Sequence, residues 1–305
     1  MQGNFFENLI KKNKKKFLFI GEISTNHRSD FNTAKKLISE AKKSKCDFVK
    51  FQTYENRSMT INSTDNFFKI QKGLWKNQSL WNLYSKGQTP FNWQKGLFSY
   101  AKKININAFS SPFDTEGIKV LENLKCPIYK IASLENTDFV LLNEIAKTKK
   151  PVIMSTGTAD LKEIERSYSF LKKKGLRDIS LLYCVTKYPA EPKDFNLNNI
   201  KLLKKKFNCT VGFSDHSNNN NVVKSAIAAG AEIIEKHIDI ENKRNSLDSN
   251  FSIKSKELKN LIDELILIKK MFIKREYHLS DAEIKNRNQR RSIYVIKEIS
   301  KNEKF

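Results

Sequence analysis

A chain of 305 residues has length for one large core, and a parallel α/β barrel takes roughly 250 residues as a single unit. Hydrophobic residues are only 39% of the chain, but 21 Phe and regularly spaced Ile and Leu supply a core, so disorder is excluded as the default. The formal charge of +23 suits nucleic acid, an anionic membrane or an anionic substrate, yet Lys42, Lys43, Lys102, Lys103, Lys172 to Lys174 and Lys204 to Lys206 are scattered along predicted outer helices, so they read as solvated faces and neither nucleic acid nor membrane is expected as a partner.

Cys46, Cys126, Cys184 and Cys209 lie far apart with no CxxC pair and read as reduced, buried thiols. The N-terminus lacks the apolar core of roughly 7–15 residues that a signal peptide needs, and no apolar run nears the ~18 residues of a membrane span. A cytoplasmic protein is expected.

In chain order, residues 1–16 read as an irregular lead-in ending in lysines, and 17–270 as the main domain. Candidate strands follow at Phe17 to Glu22, Asp47 to Gln52, Asn107 to Ser111, Ile128 to Ser133, Pro151 to Ser155, Ile179 to Val185, Thr210 to Ser214 and Glu232 to Ile238. Helical patterns come between and after them, such as Thr33 to Lys43, Thr115 to Leu124, Leu161 to Lys174, Val222 to Ala229 and Lys256 to Ile268. Repeated βα units without a glycine-rich dinucleotide fingerprint predict a closed (β/α)8 TIM barrel. The interruption Tyr54 to Pro90 carries Trp75, Trp81 and Tyr84 and predicts an aromatic substrate lid. Residues 271–305 form a basic tail with one more strand-like run, Ser292 to Ile296.

Catalytic groups of such a barrel project from the C-terminal ends of the strands. Here those ends are polar: Glu22, Lys50 with Gln52, Ser110 with Ser111, Lys130 with Ser133, Ser155 with Thr156, Thr186 with Lys187, Ser214 with His216, and Glu235 with His237. Alternation along a strand points Lys50 with Gln52, Ser214 with His216, and Glu235 with His237. Two histidines from neighbouring strands suit one divalent metal with open positions, or form a hydrogen-bonded core pair. Lys50 and Lys130 beside several hydroxyls suit a dianion; pairing with Glu22 and Schiff-base chemistry are the alternatives.

The strings Gly21-Glu22-Ile23-Ser24-Thr25-Asn26-His27, Val49-Lys50-Phe51-Gln52-Thr53, Phe109-Ser110-Ser111-Pro112-Phe113, Tyr129-Lys130-Ile131-Ala132-Ser133, Ser155-Thr156-Gly157, Tyr188-Pro189, Gly212-Phe213-Ser214-Asp215-His216 and Ile234-Glu235-Lys236-His237 resemble, in order and spacing, the sialic acid synthase family. Gly73-Leu74-Trp75 through Thr89-Pro90 and Trp93 look most like its pseudaminic acid synthase branch. The resemblance implies condensation of phosphoenolpyruvate with an amino sugar, the pseudaminic precursor first and the N-acetylneuraminate or legionaminate precursors as alternatives. It implies a divalent metal, Mn2+ first, on His216 and His237, and phosphoenolpyruvate around Lys50, Ser111, Lys130, Ser133, Ser155, Thr186 and Ser214. Glu22 and Gln52 would stand near the reacting carbons and Asp248 near the sugar. Thr186 departs from the usual Asn or Ser, and Asn218 to Asn221 from a more apolar loop. Ser292 to Phe305 resembles only the opening of the family's antifreeze-like domain, which caps the partner's barrel in a homodimer. A chain ending there is expected to bind phosphoenolpyruvate and turn over weakly, or to be a non-catalytic binding barrel.

Overall fold

Eight parallel strands follow one another around a ring in the computed structural model, which describes residues 4–240, 246–272 and 276–304. They are β1 (Leu18–Glu22), β2 (Phe48–Thr53), β3 (Asn107–Pro112), β4 (Tyr129–Ile131), β5 (Val152–Ser155), β6 (Ile179–Cys184), β7 (Val211–Asp215) and β8 (Ile233–Asp239). Each pairs with the next, and β1 also pairs with β8, with Glu22 opposite Lys50 on one side and His237 on the other. That last pairing closes the (β/α)8 barrel expected from the sequence, and a short β9 (Ile253–Lys254) adds to the end of β8. Apart from Gln52 and Asn107, every residue of these eight strands is buried, because one face fills the barrel and the other meets the helices.

The helices form where apolar residues recur at helical spacing behind a capping side chain. Asp30 caps Phe31–Lys43 by accepting from the Thr33 amide, and the helix buries Ala34, Leu37, Ile38 and Ala41. A reciprocal capping box, Asp160 with Glu163, starts Leu161–Lys173. These outer helices orient the strands so that all eight C-terminal ends share one rim.

Three expectations change. Part of the lead-in is a helix, Phe5–Lys12, that buries Phe6 and Ile10 in the same core as the barrel. The Phe5 amide donates to Asp178 before β6, and Asn13 donates to Asp47 before β2, so the segment seats on the N-terminal end of the barrel. Residues 1–3 of the lead-in lie outside the described residues. The aromatic interruption after β2 is partly helical, with Asn56–Met59 and Leu80–Gly87 leading into Phe91–Lys103. Ser292 to Ile296 forms no strand: a β-branched run needs a neighbouring strand to satisfy its amides, and it pairs with none among the described residues. Its unit, Met271–Phe305, holds a short helix, Asp281–Asn286, capped reciprocally by Ser280 and Glu283, while Met1–Lys270 forms the other unit. Phe305 lies outside the described residues. Among the described residues no helix is long and apolar enough to cross a membrane.

Candidate active site

At the C-terminal rim the strands enclose a cavity of ≈ 220 Å³. Its wall includes Lys50, Gln52, Lys130, Ser133, Ser155, Thr186, Ser214, His216, His237 and Asp248, ten of the twelve residues to which the family resemblance gives a role. The other two lie just beneath: Glu22 against Lys50, and Ser111 Oγ 3.5 Å from Lys50 Nζ. The period of two along β2, β7 and β8 therefore aims the expected pairs into one space.

Four buried charges occupy the floor. Lys50 Nζ lies 2.7 Å from Glu22 Oε2 and 3.4 Å from Glu235 Oε1, while Lys130 Nζ donates to Ser155 Oγ at 2.5 Å and lies 4.0 Å from Glu235 Oε1. The alternative of Lys50 pairing with Glu22 is thus what the structure contains, and it leaves Lys130 as the less compensated cation. Burial pulls both ammonium groups down, but the two carboxylates outweigh it at Lys50 and lift its pKa above the ordinary value. At Lys130 burial prevails and the pKa falls. Burial raises the Glu22 carboxyl, whereas at Glu235 the two lysines overcome burial and hold it low. Glu235 Oε2 and Thr186 Oγ1 are buried with no hydrogen-bond partner among the described residues, which in a cavity wall points to groups that serve a ligand. Gly157 brings the loop after β5 close: a Cβ there would collide with the hydroxyls of Thr186 and Ser133.

His216 and His237 stand edge to face with ring centroids 5.3 Å apart. His216 Nδ1 lies 3.0 Å from the Val185 carbonyl, so Nδ1 carries a proton, and in the neutral ring Nε2 is the atom with the lone pair. His237 Nδ1 is 3.4 Å from Asp248 Oδ2. At His216 a carbonyl backs one ring nitrogen by a hydrogen bond, as behind metal-binding imidazoles, whereas at His237 the carboxylate stands near Nδ1 without making one. Among the described residues no three His, Cys, Asp or Glu side chains converge as a ready-made cage. Two neighbouring imidazoles at the cavity rim are a donor set of the kind that suits a divalent ion.

Residues not singled out complete the site. Tyr188 packs 4.5 Å from the His216 ring and Phe251 4.9 Å from the His237 ring, roofing both. Glu135, in the turn after β4, lines the wall with a carboxyl pushed up to about 7 by burial. Tyr188 stood in a quoted motif and was legible as a site residue; Phe251 and Glu135 carried no spacing that marked them. Of the lid's Trp75 and Trp81 and the branch motif's Trp93, only Trp75 reaches the cavity, where its indole N–H donates to the Leu247 carbonyl at 3.1 Å. Trp93 instead packs against Phe31 and His27, and Trp81 does not line the wall. A helix starting at Phe91 turns Trp93 toward the neighbouring helix Phe31–Lys43, a direction that the aromatic character of the segment did not specify.

The NeuB family model matches residues 37–277. The chain is 37% identical to the pseudaminic acid synthase of Helicobacter pylori over 93% of this chain and 84% of that one. It is 38% identical to the pseudaminic acid synthase of Campylobacter jejuni, over 95% and 85%, and 37% to the N,N'-diacetyllegionaminic acid synthase of the same species, over 95% and 88%. Among solved structures, the N-acetylneuraminic acid synthetase of Leptospira borgpetersenii superposes with a TM-score of 0.80 at 32% identity, covering 89% of this chain and 91% of that one. Matched over most of its length in sequence and over 89% of it in fold, the chain belongs to the NeuB family.

Proposed function

We propose that the chain is a nonulosonic acid synthase that condenses phosphoenolpyruvate with 2,4-diacetamido-2,4,6-trideoxy-L-altrose and releases phosphate. The observation that carries this reading is the pairing, in one cavity, of a buried lysine-and-hydroxyl floor with a two-histidine rim. Lys50 and Lys130, with the hydroxyls of Ser111, Ser133, Ser155, Thr186 and Ser214, hold the phosphate and carboxylate of phosphoenolpyruvate. Asp248 and Gln52 orient the open-chain sugar above them. C3 of phosphoenolpyruvate bonds to the aldehyde carbon, and water adds at C2. Glu22, whose raised carboxyl pKa suits proton uptake, orients that water and accepts its proton, and the alkoxide left at the former aldehyde oxygen takes that proton up. The C2–O bond to phosphate breaks as the C2 hydroxyl gives its proton to the departing phosphate. His216 and His237 would hold a divalent cation, Mn2+ first, which when bound would supply electrophilic polarisation of the aldehyde oxygen. The Tyr188 and Phe251 rings exclude water from the rim.

Trp75 favours the diacetamido sugar, since an indole at the mouth offers apolar surface to an acetamido methyl and a 6-methyl where N-acetylmannosamine carries hydroxyls. The biosynthetic role and the spread of reduced cysteines support a cytoplasmic enzyme, and a homodimer is the expected assembly. Phosphate release from phosphoenolpyruvate is the test, run with the diacetamido-altrose, the legionaminate precursor and N-acetylmannosamine, with and without Mn2+. Fastest turnover of the first sugar is expected. Release with none of the three would defeat the proposal, and faster turnover of either alternative would reassign the sugar.

A further inference from the structure

Two motif residues take no part in the chemistry above: Asp215 and Lys236, neighbours in sequence of His216 and His237. They are register partners across β7 and β8, and alternation turns both side chains away from the cavity, into the layer between strands and helices. Both are at most 1% exposed. Lys236 Nζ bonds Asp215 Oδ2 and donates to the Ser217 carbonyl at 2.8 Å, and Asp215 Oδ1 accepts from the Ser217 amide at 2.9 Å. One ammonium thus grips the residue on each side of His216 while sitting next in sequence to His237. The His216 carbonyl is also held, by the Ala190 amide at 3.0 Å.

A buried ion pair is a costly way to tie two strands already joined by backbone hydrogen bonds, since apolar residues of similar volume serve stability as well. What it adds is directional: β7 ends at Asp215, and among the described residues the turn that carries His216 is joined to neighbouring backbone by a single isolated bridge, Ala190 to Ser217, on the side away from β8. We infer that the Asp215–Lys236 pair is a positioning brace that sets the spacing and orientation of His216 and His237 as a joint divalent-cation site. The inference rests on the reading of those histidines as metal ligands.

The test replaces the pair in two ways that leave no lone buried charge: Lys236→Gln with Asp215→Asn, and Lys236→Met with Asp215→Leu. Mn2+ affinity is measured by calorimetry, geometry by the visible d–d spectrum of Co2+-loaded protein, and phosphoenolpyruvate affinity on metal-free protein, with folding followed by circular dichroism. A folded variant is expected to bind Mn2+ about 10–100-fold more weakly, as removal of outer-shell support does. Its Co2+ spectrum changes, while phosphoenolpyruvate, whose charged partners Lys50 and Lys130 lie on β2 and β4, keeps its affinity within a few-fold. Wild-type Mn2+ affinity with an unaltered Co2+ spectrum overturns the brace. Parallel loss of both affinities overturns it too, because that marks general damage. If neither variant folds, the pair is a folding requirement and the proposal fails. Wild-type protein that binds neither Mn2+ nor Co2+ would instead sink the metal assignment beneath it.

Discussion

Replacing either floor lysine by Met should abolish tight phosphoenolpyruvate binding, yet the two changes should move stability very differently. At an effective dielectric constant near 20, the 2.7 Å and 3.4 Å contacts of Lys50 correspond to gross attractions of about 6 and 5 kcal/mol, against about 4 kcal/mol for Lys130 at 4.0 Å from Glu235. The desolvation cost is of the same order for each buried ammonium. Net attraction therefore survives at Lys50, whose pKa is raised, and not at Lys130, whose pKa is lowered. A lysine with a raised folded pKa contributes its stability below the unfolded pKa and so fully at neutral pH; a lowered one opposes folding there. Lys50→Met strands Glu22 without its ion-pair partner and should cost about 3–5 kcal/mol, roughly 6–20 °C in melting temperature for a domain of this size. In Lys130→Met, Glu235 keeps Lys50, and stability should stay within about 1 kcal/mol of wild type. Each loss of a charge-assisted bond should weaken phosphoenolpyruvate binding by about 10–150-fold. Thermal melts and calorimetric titration at pH 7 read both effects. Equal melting temperatures, or a larger drop for Lys130→Met, would refute this account of the floor.

His216→Ala or His237→Ala should each abolish divalent-metal binding while the circular dichroism spectrum stays native; calorimetry showing unchanged Mn2+ affinity in both variants would defeat the metal assignment. Trp75→Ala should raise KM for the diacetamido sugar by about 10-fold, a methyl-sized apolar contact or slightly more, and leave that for phosphoenolpyruvate alone; equal KM values for the sugar would remove Trp75 from recognition. Burial lifts the Glu135 carboxyl from 4.5 to about 7, so its folded form holds a proton that the unfolded chain has released. The stability linked to that proton is present below pH 4.5 and lost as pH rises to 7, a change of about 1–3 kcal/mol after allowance for partial exposure. Denaturant titrations at pH 5 and 8 should show this loss in wild type and not in Glu135→Gln; identical pH dependence in the two proteins would contradict it.

All eight strands were legible within one or two residues, because a strand buried on both faces must be an apolar run bounded by turn residues. The polar strand ends were legible for the complementary reason: side chains such as Lys50, Ser214 and Glu235 have no place in an apolar layer, and alternation fixes which way they point. The helix Phe5–Lys12 went unread since eight residues of mixed polarity declare a helix only once Phe6 and Ile10 have the barrel's end to pack against. Ser292 to Ile296 erred in the other direction, carrying strand composition without a neighbour to pair.

Within the site, sequence determined which residue types reach the rim, and tertiary structure alone decided how they share charge. Nothing in their spacing tells that Lys50 lies between two carboxylates while Lys130 turns to Ser155, that Trp75 enters the mouth and Trp93 does not, or that Asp215 and Lys236 meet behind the histidines. The backbone period sets direction one strand at a time, whereas pairing depends on distances between strands far apart in the chain, and those exist only once β8 has closed on β1.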